Sequence, residues 1–100
     1  SRANRPTALF AGNDEMAIGI YTSARKFGLS VPEDLSIVGF DDTPMAARIS
    51  PALTTVKLPI RDMGSEAARG LMAIISGAEP SENKSFRPEI IVRRSTRPPA

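Results

Sequence analysis

Thr7-Ala8-Leu9-Phe10-Ala11-Gly12-Asn13-Asp14 leaves Pro6 as a short apolar run and ends in turn and cap chemistry at Gly12-Asn13-Asp14. It reads as a buried strand feeding a helix. From Asp14 on, Met16, Ala17, Ile20, Ala24 and Phe27 recur at helical spacing, with Asp14 and Glu15 in the first turn, Arg25 and Lys26 in the last, and Gly28 as a stop. Acids at the start and bases at the end both suit the helix dipole. After Ser30-Val31-Pro32-Glu33-Asp34 comes Leu35-Ser36-Ile37-Val38-Gly39-Phe40, too short for a helix and rich in strand formers, so a second buried strand is predicted. Strand, helix and strand within about 35 residues make a right-handed crossover unit with parallel strands, whose ligands gather at the carboxyl ends. Here those ends are Asn13 and Asp41.

Working outward, Asp42 to Ala52 carries Pro44 and Pro51 and reads as a loop, and Leu53 to Leu58 as a third strand ended by Pro59. Ile60, Met63, Gly64, Ala67, Leu71, Ile74 and Ile75 trace one face of a helix up to Ser76-Gly77. Ala78 to Ser85 is a polar connection, and Glu89-Ile90-Ile91-Val92-Arg93 reads as a last strand. The expected architecture is three-layer α/β with a parallel sheet. Two helices cannot cover both faces of four such strands, so the expectation is a piece of a larger fold, or one completed by a partner chain.

Composition narrows the chemistry. The 100 residues are 41% hydrophobic and 24% charged, an ordinary globular balance, and no apolar run approaches the roughly 20 residues that span a bilayer. A soluble chain with no membrane partner is expected. With no Cys and no His, there is no thiol nucleophile, no disulfide, no zinc site of the usual ligands and no histidine base. The formal charge is only +2. Arg2 and Arg5 lie at one end, and Arg87, Arg93, Arg94 and Arg97 crowd the other, which reads as solvated termini rather than a nucleic-acid surface.

Each candidate has a plain reading beside the functional one. Asn13-Asp14 can be simple helix capping; the same geometry places an amide, both donor and acceptor, at the mouth of a parallel sheet where a sugar hydroxyl needs both. Asp42 can be a turn residue capping the loop toward Thr43-Pro44, whereas Asp41 is suited to accept hydrogen bonds from adjacent hydroxyls of a polyol, each worth about 1.5–3 kcal/mol. The same acids could hold Mg²⁺ as in phosphoacceptor receiver domains, but their order and spacing relative to Thr54-Thr55 and Lys57 are wrong. Thr54 to Lys57 reads as plain strand, Leu58 and Ile60 as core or as an apolar pocket wall, and Arg93-Arg94 as an exposed strand end. The glycines form no phosphate loop.

Four motifs occur in order: Ala11-Gly12-Asn13-Asp14-Glu15-Met16-Ala17, Val31-Pro32-Glu33-Asp34-Leu35-Ser36-Ile37-Val38-Gly39-Phe40-Asp41-Asp42, Leu53-Thr54-Thr55-Val56 and Arg93-Arg94-Ser95-Thr96. In this order they resemble the carboxyl-terminal part of the lactose repressor/galactose repressor (LacI/GalR) family of transcriptional regulators, across nearly the whole chain. The resemblance implies a periplasmic binding protein-like (type I) effector domain of two α/β lobes, with a sugar or, less favoured, a purine between them. Residues 1–52 and 86–97 would belong to the carboxyl-terminal lobe, 53–58 to a crossover strand, and 59–77 to a helix packing on the amino-terminal lobe.

The same resemblance assigns effector hydrogen bonds to Asn13 and Asp41, cleft lining to Leu58 and Ile60, and a homodimer interface to Ile18 and Ile49. Leu58 departs from the Gln common in the family, and with it a polar contact is lost. Family members are cytoplasmic and read operator DNA through an amino-terminal helix-turn-helix headpiece that this chain does not contain. Neither a cofactor nor a metal is implied. The implied mechanism is allosteric and not enzymatic: the effector favours one orientation of the lobes, a coupling of about 1–3 kcal/mol. The rival of a different class is a periplasmic sugar-binding protein of a transport system. It shares the Asn-Asp helix start and the glycine-then-Asp strand end, but Val31 to Ser36 with Leu53 to Val56 leans toward regulation.

Overall fold

The structure, a computed structural model, describes residues 5–79 and 84–99. Arg2 and residues 80–83 of the polar connection lie outside the described residues. In chain order the elements are β1 (Ala8–Phe10), α1 (Asp14–Lys26), β2 (Ser36–Phe40), α2 (Pro44–Arg48), β3 (Thr54–Lys57), α3 (Ile60–Ile75) and β4 (Glu89–Ile91). They divide into two compact units, Ser1–Lys57 with Glu89–Ala100, and Leu58–Pro88.

The first unit is built on a four-stranded sheet in the order β1-β2-β3-β4. β1 pairs parallel with β2 and β2 parallel with β3, as the crossover reading requires, but β4 runs antiparallel to β3 and the sheet is mixed. Strand direction is invisible in composition, because a triplet as short as Glu89-Ile90-Ile91 suits either ladder. Leu53, expected in β3, precedes it as a fully buried core residue.

Asp42 to Ala52, expected to be a loop, contains α2. Pro44 sits at the first helical position, where its missing N–H costs nothing and its fixed φ already suits a helix. α1 begins and ends as expected. Gly28 adopts φ +72, and the Leu29 N–H donates to the Ala24 carbonyl (2.8 Å) while Gly28 N–H donates to that of Arg25 (3.2 Å), the paired closure of a left-handed stop.

The core on the α1 side of the sheet gathers Ala11, Ala17, Tyr21, Leu35, Ile37, Ala46 and Leu53. Ile37 and Leu53 are fully buried, and each such aliphatic side chain contributes about 1.5–3 kcal/mol. The buried stripe of α1 is Asp14, Ala17, Tyr21 and Ala24. This departs from the expected stripe, since Met16 is 59% and Phe27 82% exposed. Met16, Phe27 and Leu9 instead border an open apolar cleft of about 550 Å³, shared with Ile20, Leu29 and Leu35. On the opposite face of the sheet, Ala8, Phe10, Val38, Val56 and Ile90 line a second open apolar depression of about 420 Å³.

In the second unit, α3 spans the predicted residues and buries none of them. Its apolar face, including Ile60, Leu71, Ile74 and Ile75, is exposed. No helix of the described residues is long and apolar enough to cross a membrane.

Candidate functional site

Asn13 and Asp41 lie just past the carboxyl ends of β1 and β2, which are adjacent and parallel. Capping and site readings of Asn13 are compatible. Its Oδ1 accepts from the Met16 N–H (2.8 Å), capping α1, and this leaves the side-chain amide N–H₂ outside the cap. Asn13 is half-buried and Asp41 exposed.

Asp41 continues the ladder, its N–H donating to the Val56 carbonyl at 2.8 Å. Backbone geometry then changes abruptly: Asp41 has φ 117 and Asp42 φ 54, the two non-glycine residues with positive φ among those described. Such conformations cost about 1–3 kcal/mol each and persist only where surrounding contacts over-determine them. Those contacts are present. The Asp42 N–H donates to Thr55 Oγ1 (3.3 Å), and Asp42 Oδ1 accepts from Arg93 Nη2 at 2.7 Å. Arg93 is not the exposed strand end expected: its side chain is only 19% exposed, and its Nη1 also donates to the Leu53 carbonyl. Asp42 is thus an ion-pair partner, and not the cap of the following loop.

Beneath the turn lies Asp14, fully buried. Its Oδ2 accepts from the Thr43 N–H (2.7 Å) and the Thr43 hydroxyl (3.0 Å), and its Oδ1 accepts from the Thr55 hydroxyl (2.7 Å). A buried carboxylate is tolerable because three donors meet it. Gly39 makes room for it: a Cβ at Gly39 would overlap Asp14 Oδ1 and stand 2.8 Å from Leu53 Cδ2. Thr55 is therefore more than plain strand. Thr54 Oγ1 accepts from the Arg93 N–H (2.9 Å), and the fully buried Ser95 hydroxyl accepts from Thr54 N–H and donates to the Ile37 carbonyl, tying β2 to β3.

The sequence assigns no binding role to Asp14, Thr43, Thr55, Arg93 or Ser95, and reads Asp14 as capping, Thr55 as plain strand and Arg93 as an exposed strand end. For Asp14 a signal exists: positions 14, 17, 21 and 24 share one helical face, so the carboxylate falls on the stripe of Ala17, Tyr21 and Ala24. The others meet their partners across 13 to 58 residues of sequence and carry no local signal. Among the interface candidates, Ile18 is half-buried and Ile49 packs partly buried against the core. In the second unit, Leu58 is half-buried, its carbonyl accepting from the Ile60 N–H (2.8 Å), and Ile60 is 59% exposed. Among the described residues no group of three or more acids is gathered that could hold a metal ion.

A family model described as a periplasmic binding protein-like domain matches residues 1–96. The chain is 46% identical over 91 residues to the HTH-type transcriptional regulator MalR of Streptomyces coelicolor, covering 90% of this chain and 26% of MalR. It superposes on a LacI family transcriptional regulator from Mycobacterium smegmatis with TM-score 0.87 and 39% identity, covering 99% of this chain and 36% of that one. For a LacI family regulator from Enterococcus faecium with bound ribose the TM-score is 0.82 and the identity 37%, covering 93% of this chain and 35% of that one. The chain thus spans about a quarter of MalR and about a third of these structures. These relatives are transcriptional regulators, which favours the regulatory over the transport reading. With four ordered motifs, a parallel crossover unit and a domain match over nearly its whole length, the chain belongs to the LacI family of transcriptional regulators, within their periplasmic binding protein-like domain.

Proposed function

We propose that this chain is the carboxyl-terminal part of the effector-binding domain of a cytoplasmic, homodimeric repressor, and that Asn13 and Asp41 hydrogen-bond a sugar or related polyol. One observation carries the reading: an amide and a carboxylate stand past the ends of two neighbouring parallel strands, where small molecules bind in α/β sheets. The positive-φ geometry of Asp41 and Asp42, maintained by an ion pair and a buried carboxylate, supports it further. Ribose in the E. faecium relative favours a sugar over a purine.

In this reading the Asp41 carboxylate accepts from sugar hydroxyls, and the Asn13 amide, its oxygen engaged by the cap, acts as a donor. By the family resemblance Leu58 and Ile60 supply apolar contacts, 53–58 forms a crossover, 59–77 packs on a lobe outside this chain, and Ile18 and Ile49 contact the second protomer. Operator DNA is read by a headpiece also outside it. Effector binding selects one arrangement of the lobes and thereby alters how the two headpieces are presented.

The test is calorimetric titration of the full-length regulator with ribose, glucose and maltose. Loss of a charge-assisted hydrogen bond worth about 1.5–3 kcal/mol means that Asp41→Ala weakens the tightest of these sugars by about 10- to 150-fold. Operator affinity without sugar stays within about twofold of wild type. Unchanged sugar affinity removes Asp41 from the site.

A further inference from the structure

We propose that Asp14 is the positioning residue of the effector site: through Thr43 and Thr55 its buried carboxylate fixes the backbone of the Asp41–Thr43 turn, and with it the Asp41 carboxylate. The inference rests on the reading of Asp41 as an effector ligand and adds a residue that itself contacts no effector.

Three observations converge on Asp14. First, it sits at the opening of α1, directly after Asn13, so it is rigidly attached to the element that carries the other polar candidate. Second, both of its oxygens are spent on the turn and on β3: Oδ2 takes the N–H and hydroxyl of Thr43, and Oδ1 takes the hydroxyl of Thr55. Thr55 Oγ1 in turn accepts from the Asp42 N–H, so Asp14 reaches the turn from two sides. Third, β2 carries a bare Gly39 at the place where any Cβ would collide with Asp14 Oδ1.

The purpose of so much buried polarity lies in the backbone it restrains. Asp41 at φ 117 and Asp42 at φ 54 would relax to negative φ if left to themselves. A helix dipole or an exposed cap needs an acid near position 14, but neither needs one fully buried with three donors from two other elements. Helix start, turn and β3 are thereby locked into one body, which keeps Asn13 and Asp41 in fixed register.

The experiment uses the full-length regulator carrying Asp14→Asn, Asp41→Ala and both together. Hydrogen exchange followed by mass spectrometry reports the turn without any sugar. Asp14→Asn raises exchange of the amides at 41–43 by about tenfold, while peptides from the rest of β2 and the second half of α1 keep wild-type rates. Calorimetry with the tightest binder among ribose, glucose and maltose reports the site. Asp14→Asn weakens that sugar about tenfold in the wild-type background and less than twofold in the Asp41→Ala background, since its effect passes through Asp41.

Unchanged exchange at 41–43 overturns the proposal, as does an equal loss of affinity in both backgrounds, which signifies a merely structural role. If exchange rises as expected but Asp41→Ala binds sugar normally, the failure lies in the effector reading of Asp41, and the positioning role falls with it. Should Asp14→Asn not fold, Thr43→Val, which removes one hydroxyl donor at a half-buried position, is carried through the same cycle with the same criteria.

Discussion

Gly39→Ala and Gly19→Ala, the same chemical change at two sites, should move stability in opposite directions. At Gly39 the added methyl overlaps Asp14 Oδ1 and meets Leu53 Cδ2 at 2.8 Å. Neither neighbour can retreat cheaply. Leu53 is fully buried, and Asp14 is held by Thr43 and Thr55 at 2.7–3.0 Å. Overpacking of this kind costs about 1–3 kcal/mol, and displacing Asp14 forfeits at least one charge-assisted hydrogen bond worth about 1.5–3 kcal/mol. The sum is roughly 2.5–6 kcal/mol, a large part of the 5–15 kcal/mol typical of a whole domain. Gly19 lies within α1, and a Cβ there meets nothing within 4 Å. Replacing it removes the entropy penalty of a helical glycine, so Gly19→Ala stabilises by about 0.5–1 kcal/mol. Urea denaturation followed by circular dichroism gives both midpoints. A Gly39→Ala midpoint within error of wild type, or a loss at Gly19 equal to that at Gly39, refutes the packing account of the Asp14 pocket.

Two further outcomes follow from the geometry and a third from the family resemblance. Tyr21 is the sole tyrosine, its hydroxyl donates to the Pro51 carbonyl (2.7 Å), and burial, partly offset by Ser95, raises its pKa above 10.0. A raised folded-state pKa means that the folded chain retains the proton longer. The associated stability is therefore whole below about pH 10 and is lost as pH climbs through the folded value, which tyrosinate absorbance and a Tyr21→Phe control will show. Arg93→Met leaves the Asp42 carboxylate, only 16% exposed, without its cation and should cost about 2 kcal/mol, whereas the exposed Arg69→Met, paired with Glu66, should cost less than about 0.5 kcal/mol. If Ile18 and Ile49 contact a second protomer, Ile18→Asp should raise the dimer dissociation constant of the full-length regulator by at least about tenfold in sedimentation analysis; an unchanged constant removes Ile18 from the interface.

Much of the local structure could be read residue by residue. Asn13 before an acid-led helix, Gly28 after its basic last turn, and Leu35 to Phe40 as a buried strand all describe interactions spanning only a few residues. The same local reading puts Asn13 and Asp41 at strand ends. Spacing does not identify the buried stripe of α1, because the helix carries apolar residues around more than one face, and Met16 and Phe27 border an open cleft instead of the core. A five-residue helix beginning at Pro44 escaped because two prolines in eleven residues resemble a loop.

What tertiary structure alone decided is which polar groups meet. Asp14 joins Thr43 across 29 residues and Thr55 across 41, and Arg93 reaches Asp42 across 51. The antiparallel course of β4, which precedes Arg93 and Ser95, is equally a product of the assembled sheet. Periodicity and capping rules act over one or two turns of chain, so the sequence determined the identity of the strand-end polar groups and every element but α2. Pairing across tens of residues depends on where packed strands bring side chains, and only the folded sheet shows that a buried aspartate underlies the exposed one.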